Sequence, residues 1–236
     1  RMVYRLKQGN QNSQPSIAWI SPSPDGCILA IGLCTDGSEN NAIQLINVET
    51  GDNFQNPPPQ ILMDSWMGGA RWLPDNSGFY FLALIGKPEN FQQQMLFHSM
   101  LEATQTVIDL PCQDPKGHEY RLITISPNGR YYLAYQGLLN TTPIAVLDTQ
   151  KPEPQWQEFI TVANCFVVGH VVDDRLIAVT DINAPRGRVV SIPLAIASRS
   201  DPETWTELIP QSNAVIRSVT PVDGRLYVSE WIDTYS

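Results

Sequence analysis

Residues 16–30 read SIAWISPSPDGCILA, with apolar runs on both sides of a Ser-Pro-Asp-Gly segment at residues 23–26. Proline sets φ to about −65° at the first corner of a turn, aspartate caps the turn with its side chain, and glycine accepts a positive φ. The apolar residues that flank this segment favour two antiparallel strands joined by the turn. The stretch therefore predicts a β-hairpin.

The same strand–turn–strand plan returns four more times. The later copies are residues 69–82 (GARWLPDNSGFYFL), 122–133 (LITISPNGRYYL), 167–178 (VVGHVVDDRLIA) and 216–228 (IRSVTPVDGRLYV). Their turn residues recur 46–53 positions apart and are Asp25, Asp75, Asn128, Asp174 and Asp223. In the second copy, Gly78 is expected to be the turn glycine. This regular spacing indicates an internal structural repeat.

Each repeat has room for further strands beside the hairpin. They are predicted at residues 42–48, 94–100, 143–147 and 188–192, with outer strands at 61–62 and 159–162. Phe91, Met95 and Leu96 also have helical spacing, but their position in the repeat favours a strand. Asp, Pro and Glu at residues 201–203 predict a single helical turn between strands.

Four antiparallel strands in every 45 to 53 residues are typical of a β-propeller blade. We therefore predict an all-β protein, a β-propeller of four-stranded antiparallel blades in a partial ring of about four to five blades. The predicted blades form one region, 1–236, and span residues 16–65, 66–117, 118–164, 165–212 and 213–236, the last of them incomplete.

The composition excludes several kinds of partner. Of 236 residues, 15 are basic and 24 acidic, and the formal net charge of −9 argues against a nucleic-acid binder, which depends on clustered Lys and Arg. No run of about eighteen apolar residues is present, so no contact with a membrane is expected. The chain starts without an apolar leader segment, and we expect a cytoplasmic location.

The cysteines and histidines do not have the spacing of metal ligands, and no metal or other cofactor is expected. The residues concerned are Cys27, Cys34, Cys112, Cys165, His98, His118 and His170. Cys27 and Cys34 lie an odd number of residues apart in one apolar run. This spacing puts their side chains on opposite faces of a strand and argues against a local disulfide. Four reduced thiols are the preferred interpretation.

The sequence contains no catalytic motif that would support a nucleophile. No Gly-x-Ser-x-Gly elbow is present, and Gly86-Lys87 is followed by Pro88, which rules out a phosphate-binding loop. His170 lies near Asp173 and Asp174 in sequence and could suggest a base with an orienting acid. A structural role along a strand and its turn is the favoured interpretation, and we expect no catalytic residue in this chain.

Several segments resemble, in order, the propeller of the prolyl oligopeptidase family of serine peptidases. The segments are residues 70–80 (ARWLPDNSGFY), 95–101 (MLFHSML), 125–133 (ISPNGRYYL), 180–192 (TDINAPRGRVVSI) and 201–210 (DPETWTELIP). The likeness runs from about Ala18 to Ser236. The 95–101 segment looks like a strand of that family, which supports the strand prediction made above.

The resemblance implies a seven-bladed propeller, of which this chain covers about four blades and the start of a fifth. In the family the propeller precedes an α/β-hydrolase domain that carries Ser, Asp and His, so that domain and the remaining blades are expected partners absent from this chain. The family cleaves short peptides after proline, and its propeller excludes large folded substrates. The full-length protein is then a serine endopeptidase that binds short proline-containing peptides, while this chain alone is expected to be inactive.

The resemblance also implies residues that line the substrate pocket. Met67, beside Trp66, stands where the family often has an aromatic pocket residue, and Asn140 stands near another lining position.

Two other functions are kept open at this point. A free-standing propeller that serves as a protein-interaction platform is the alternative to the peptidase. A weaker alternative is a propeller hydrolase with carboxylates at its central face.

Overall fold

The computed structural model describes residues 15–35, 40–62, 69–87, 90–111, 121–137, 141–162 and 164–233. In these ranges the regular structure is antiparallel β-sheet with two short 3-10 helices and no α-helix. The prediction of an all-β fold is confirmed. The chain divides into two compact units, Arg1–Leu110 and Pro111–Ser236.

In the part of the first unit that the structure describes there are eight strands. They are β1 (Ser16–Pro22), β2 (Ile28–Cys34), β3 (Asn41–Asn47), β4 (Ile61–Leu62), β5 (Arg71–Trp72), β6 (Gly78–Lys87), β7 (Asn90–Ser99) and β8 (Gln105–Ile108). The strand order is β1-β2-β3-β4-β6-β7-β8, and β5 pairs with β6. Two sets of four strands are therefore joined through β4, where Ile61 pairs with both Ala42 and Leu84.

The described residues of the second unit form two four-stranded sheets and one pair of strands. The first sheet has β9 (Arg121–Ile125), β10 (Tyr131–Gln136), β11 (Thr142–Asp148) and β12 (Gln157–Glu158). The next has β13 (Val167–Val172), β14 (Arg175–Thr180), β15 (Arg188–Pro193) and β16 (Thr206–Ile209), and the pair has β17 (Val215–Val222) and β18 (Arg225–Trp231). In both sheets consecutive strands are neighbours, as in propeller blades.

The turn chemistry agrees with the prediction in the first and third copies. Gly26 donates its N–H to the carbonyl of Ser23 at 2.9 Å, and Gly129 donates to Ser126 at 2.8 Å. Both glycines have a positive φ, of 71° and 72°. The proline-led turn therefore ends in a left-handed glycine in each case.

The prediction for Gly78 is wrong. In the second copy the left-handed residue is Asn76, with a φ of 62°, and its N–H donates to the carbonyl of Leu73 at 3.0 Å. Asparagine tolerates this conformation better than most residues. Gly78 instead begins β6, where a Cβ would collide with the carbonyl oxygen of His98 and the ring of Phe97.

The predicted inner and middle strands are confirmed, and the segment predicted at 94–100 lies in β7 up to Ser99 rather than in a helix. The outer strand predicted at 159–162 is shifted, because β12 covers Gln157–Glu158. Its ladder continues through backbone hydrogen bonds from Phe159 to Ile144 at 2.9 Å and from Ile160 to Pro143 at 3.0 Å. The ladder thus covers only the first half of the predicted strand.

The helical turn predicted near residues 201–203 is present as a 3-10 helix, η2 (Pro202–Thr204). It follows a first 3-10 helix, η1 (Ala197–Ser200). Asp201 caps η2, because its carboxylate accepts the backbone N–H of Glu203 at 3.0 Å. Together the two short helices connect β15 to β16.

Each unit has its own apolar core between sheets. In the first unit the rings of Trp72 and Phe79 meet at a centroid distance of 4.8 Å inside a cluster that also includes Leu45 from β3. In the second unit a larger cluster takes Leu133 from β10 and Leu176 from β14, both fully buried. Apolar burial of this kind is the main force that holds neighbouring blades together.

Candidate functional site

The residues predicted to line a substrate pocket are Trp66, Met67 and Asn140. All three lie outside the residues that the structure describes, and their role stays a prediction.

The thiols that the structure describes are Cys27, Cys34 and Cys165, and none of the three is in a disulfide. Cys112 and His118 lie outside the described residues. Within the described ranges, no group of three or more His, Cys, Asp or Glu residues is placed to hold a metal ion.

The sequence neighbours of His170 do not form a catalytic pair with it. Asp174 accepts a hydrogen bond from Arg130 at 2.9 Å, which engages its carboxylate with another sheet. His170 lies in β13 opposite Ile177 of β14, and it is exposed to solvent. The structural interpretation of this histidine therefore stands.

The most developed polar arrangement lies where sheet β9–β12 meets sheet β13–β16, a boundary we call the unit-2 seam. Arg130 donates from Nε and from one terminal nitrogen to the two carboxylate oxygens of Asp148, both at 3.0 Å. Its other terminal nitrogen donates to Asp174 in the β13–β14 turn. One guanidinium thus links β11 to the neighbouring sheet.

These contacts shift the pKa values of Asp148 and Arg130 in opposite directions. The hydrogen bonds from Arg130 hold the pKa of the Asp148 carboxyl below its ordinary value. The same contacts raise the pKa of Arg130. Bidentate arginine–carboxylate pairs of this type fix orientation as well as charge.

Elsewhere the unit-2 seam is closed by neutral hydrogen bonds. The hydroxyl of Thr142 donates to the carbonyl of Cys165 at 2.7 Å, and the N–H of Val167 donates to the carbonyl of Thr141 at 3.0 Å. Because the first of these bonds is buried, it is shielded from competition with water.

The rim of the same seam contains a buried cation. Arg199, in η1, donates to Gln157 of β12 at 2.7 Å and to the carbonyls of Leu194 and Ile196 at 3.2 and 3.1 Å. The indole of Trp205 donates to the carbonyl of Arg199 at 2.8 Å. Burial lowers the pKa of the Arg199 guanidinium.

The two strand sets of the first unit are also joined by polar contacts. Ser21 donates its hydroxyl to the carbonyl of Ala70 at 2.6 Å, and Trp72 returns an indole N–H to the carbonyl of Ser21 at 3.2 Å. At the turn face, the N–H of Asp25 donates to the side-chain oxygen of Asn76 at 3.1 Å. Neighbouring blades are therefore held together within both units.

Two of the polar side chains named in the sequence analysis make contacts within the fold: His98 bonds to Gln105 and Asp174 to Arg130. A cavity of about 10 Å³ lies at the rim of the unit-2 seam, which is near the lower limit for holding one water molecule. A peptide substrate does not fit there.

A family model described as the prolyl oligopeptidase N-terminal β-propeller domain matches residues 10–235. The chain belongs to this family. The resemblance found in the sequence is thereby confirmed, and with it the propeller fold class.

Among the solved structures with a similar fold are a prolyl endopeptidase and a prolyl oligopeptidase. One is a prolyl endopeptidase from a study of two such enzymes, which addressed the role of inter-domain dynamics in catalysis and specificity. It is 21% identical to this chain, with a TM-score of 0.74. The alignment covers 92% of this chain and 32% of that chain. Prolyl oligopeptidase B from Galerina marginata, without ligand, is 16% identical with a TM-score of 0.64, covering 87% of this chain and 30% of that chain.

The same Galerina marginata enzyme with a bound 35mer hydrolysis and macrocyclization substrate is 15% identical, with a TM-score of 0.66. This chain spans about a third of the length of these structures. A search of curated proteins gave no match. Among the described residues, none forms a helix that is long and apolar enough to cross a membrane.

The polar contacts of the seams were not found by sequence reasoning. Arg130 and Asp174 are 44 residues apart, and Gln157 and Arg199 are 42 apart, so no local motif connects them. One signal was available for Arg199. It is a single cation two residues after the apolar run PLAIA at residues 193–197, where a charge needs a specific partner.

Proposed function

We propose that this chain is the gating part of a serine endopeptidase of the prolyl oligopeptidase type, which hydrolyses short peptides after proline. The observation that supports this proposal is the match of the family model to residues 10–235. The chemistry belongs to an α/β-hydrolase domain, in which a serine attacks the peptide carbonyl and a histidine transfers the proton. This chain supplies the wall that limits access to that domain.

The closed seams support a steric role. Sheets that are joined by buried apolar clusters and by contacts such as Arg130–Asp174 resist separation by a bulky substrate. A stiff wall admits substrate when whole domains move relative to each other, as lids do in other enzymes. The fold relative cited above, in which inter-domain dynamics was studied for catalysis and specificity, is in accord with this view.

A cytoplasmic location is part of the proposal. Free thiols persist in reducing compartments, and Cys27 is exposed and would be open to oxidation elsewhere. The peptides expected there are short, proline-containing and unfolded.

The test uses the full-length protein that contains this chain. Its activity is measured on a series of proline-containing peptides of increasing length and on a folded protein with an exposed proline loop. We expect kcat/KM to fall steeply with length and no cleavage of the folded protein. Comparable cleavage of the folded protein would overturn the size-filter function.

A second measurement separates the peptidase from an interaction platform. The full-length protein is treated with a fluorophosphonate probe, which labels an activated serine. Labelling outside residues 1–236 is expected, together with no turnover by residues 1–236 alone. Absence of labelling and of peptide cleavage would favour the platform instead.

A further inference from the structure

Arg71 lies at the start of the short strand β5, which pairs with β6 in the first unit. Its Cα partner on β6 is Tyr80, and the next residue, Trp72, is paired with Phe79. Successive side chains of a strand point to opposite faces. Because Trp72 packs with Phe79 in the apolar cluster of this unit, the Arg71 side chain projects from the opposite face of β5.

The guanidinium of Arg71 has no counter-ion in the described part of the chain. Its Nε atom is inaccessible to solvent and has no hydrogen-bond partner among the described residues. The ion pairs that these residues form do not include Arg71. Burial alone lowers the pKa of its guanidinium. A cation removed from water is costly unless it is paired, so this position favours an anionic partner.

The guanidinium points back along the chain, away from the hairpin turn that follows β5. Its Nη1 atom lies 3.5 Å from the place that a Cβ of Gly69 would occupy, and among the described residues it is the only atom within 4 Å of that place. Gly69 has a φ of 125°, which residues with a side chain rarely adopt. Glycine thus leaves space beside the cation.

This space is close in sequence to the predicted substrate pocket. Arg71 follows Trp66 and Met67, whose pocket role is a prediction, by five and four positions. Four residues span at most about 14 Å even when the chain is fully extended. An extended peptide covers the same distance with about four of its own residues. A substrate held at the predicted pocket positions therefore reaches the guanidinium with a residue close to its cleavage site.

We propose that Arg71 is a specificity-determining residue, which binds the carboxylate of an aspartate or glutamate a few residues before the proline of a peptide substrate. This inference rests on the peptidase function proposed above and adds a preference for acidic peptides to it. The planar guanidinium donates to both oxygens of a carboxylate at once. Because the contact lies away from the bond that is cleaved, it lowers KM and leaves kcat unchanged.

The test uses the full-length protein and peptides that end in proline joined to aminomethylcoumarin. Glutamate, glutamine or lysine is placed in turn at each of the four positions that begin two residues before the proline. At one of these positions we expect kcat/KM to be about tenfold higher for glutamate than for glutamine, the equivalent of one hydrogen bond between charged groups. The formal net charge of −9 repels an acidic peptide on average, so this preference requires a local cation.

Arg71→Met removes the charge and keeps a long side chain. We expect the preference for glutamate over glutamine to disappear, through a rise in KM for the glutamate peptide. Arg71→Lys should restore part of it, because an ammonium group keeps the charge but lacks the planar fork. Arg225→Met is the matched control, since Arg225 is an exposed cation on β18 and its loss should leave the preference unchanged.

Equal cleavage of the glutamate and glutamine peptides by the unaltered protein would overturn the role of Arg71 and leave the peptidase function standing. No cleavage of any of these peptides would refute the peptidase function, and this inference with it. A structural role of Arg71 would lower Tm in Arg71→Met and leave the peptide preference intact, which would also overturn the proposal. Loss of a buried, unpaired charge should not lower Tm.

Discussion

The indole N–H of Trp19 donates a hydrogen bond to the side-chain oxygen of Asn41 at 2.8 Å, in the space that a side chain at Gly32 would occupy. The bond joins β1 to β3 across β2, which lies between them. Asn41 is buried, so its side chain is shielded from bulk water. The absence of a side chain at Gly32 is therefore a requirement of the first sheet.

Gly32→Ala is expected to lower the free energy of unfolding by about 1–3 kcal/mol, because the new Cβ collides with Trp19 and Asn41. Chemical denaturation measures the change. Trp19→Phe is the partner variant, since a smaller ring relieves the collision. The double variant should lose less stability than the sum of the single losses. Additive losses would show that the collision is absent.

Asp148→Asn is expected to reduce the acid sensitivity of the fold. Hydrogen bonds from Arg130 lower the pKa of Asp148 in the folded state. The unfolded chain therefore takes up this proton at higher pH, and the stabilisation is complete above an unfolded pKa of about 4 and disappears as the pH falls through the folded value. Urea midpoints at about pH 6 and about pH 3 should differ less in the variant.

Asp173→Asn is the control for this experiment. Asp173 is an exposed turn residue with a left-handed φ of 52°, which asparagine also tolerates. Asp173→Asn removes one negative charge, as Asp148→Asn does, at a position next to Asp174. If both variants alter the acid dependence equally, the effect belongs to net charge and not to the Arg130 pair.

His98 is expected to make the fold less stable as the pH falls below about 6.5. Its Nδ1 accepts a hydrogen bond from the side-chain amide of Gln105 at 2.9 Å, and burial lowers the pKa of the ring. The unfolded chain binds the proton at the ordinary pKa, so stability is lost from that pH downward until the folded ring also titrates. His98→Gln should flatten the loss between about pH 7 and about pH 5.

An NMR titration of the His98 ring checks the same prediction directly. The midpoint should lie below the ordinary value of about 6.5. A midpoint at or above that value would contradict the assignment of a neutral, buried ring.

Residues 1–236 expressed alone are expected to self-associate through β17 and β18. Tyr227 and Trp231 lie on one face of β18 because they are four residues apart, and Ile232 follows them; all three are exposed. Exposed apolar patches on strand pairs promote association. Sedimentation velocity at increasing concentration measures it.

Ile232→Lys should weaken this association, whereas Leu101→Lys should not. Leu101 is 85% exposed in the turn between β7 and β8 and is the matched single apolar residue. An equal effect of the two variants would point to general solubility rather than to the patch. A monomer at all concentrations would refute the prediction itself.

The strands could be predicted because turn chemistry is local. Proline, an acid or amide and a left-handed residue within four positions determine where a chain reverses, and the period of the repeat supplied the rest. The same period decided that 94–100 is a strand, although residues 91–96 alone have helical spacing. The repeat period thus decided between strand and helix where the local spacing alone favoured a helix.

Other features depend on contacts that no local pattern records. Asn76 and Gly78 both follow the turn acid; Asn76 is the left-handed residue, and Gly78 lies in β6 against the carbonyl of His98. The outer strand β12 begins early because its ladder is fixed by β11. The unit-2 seam joins residues more than forty positions apart, beyond the reach of any motif. The pocket role of Trp66, Met67 and Asn140 is still a prediction.

The turn at Asn76 has a consequence for protein engineering. A consensus built from the repeats would place glycine there, as in the first and third copies, and would relax the backbone at that position. It would also delete the amide oxygen that accepts the N–H of Asp25. Averaging the repeats would therefore erase a connection that exists only because the copies differ.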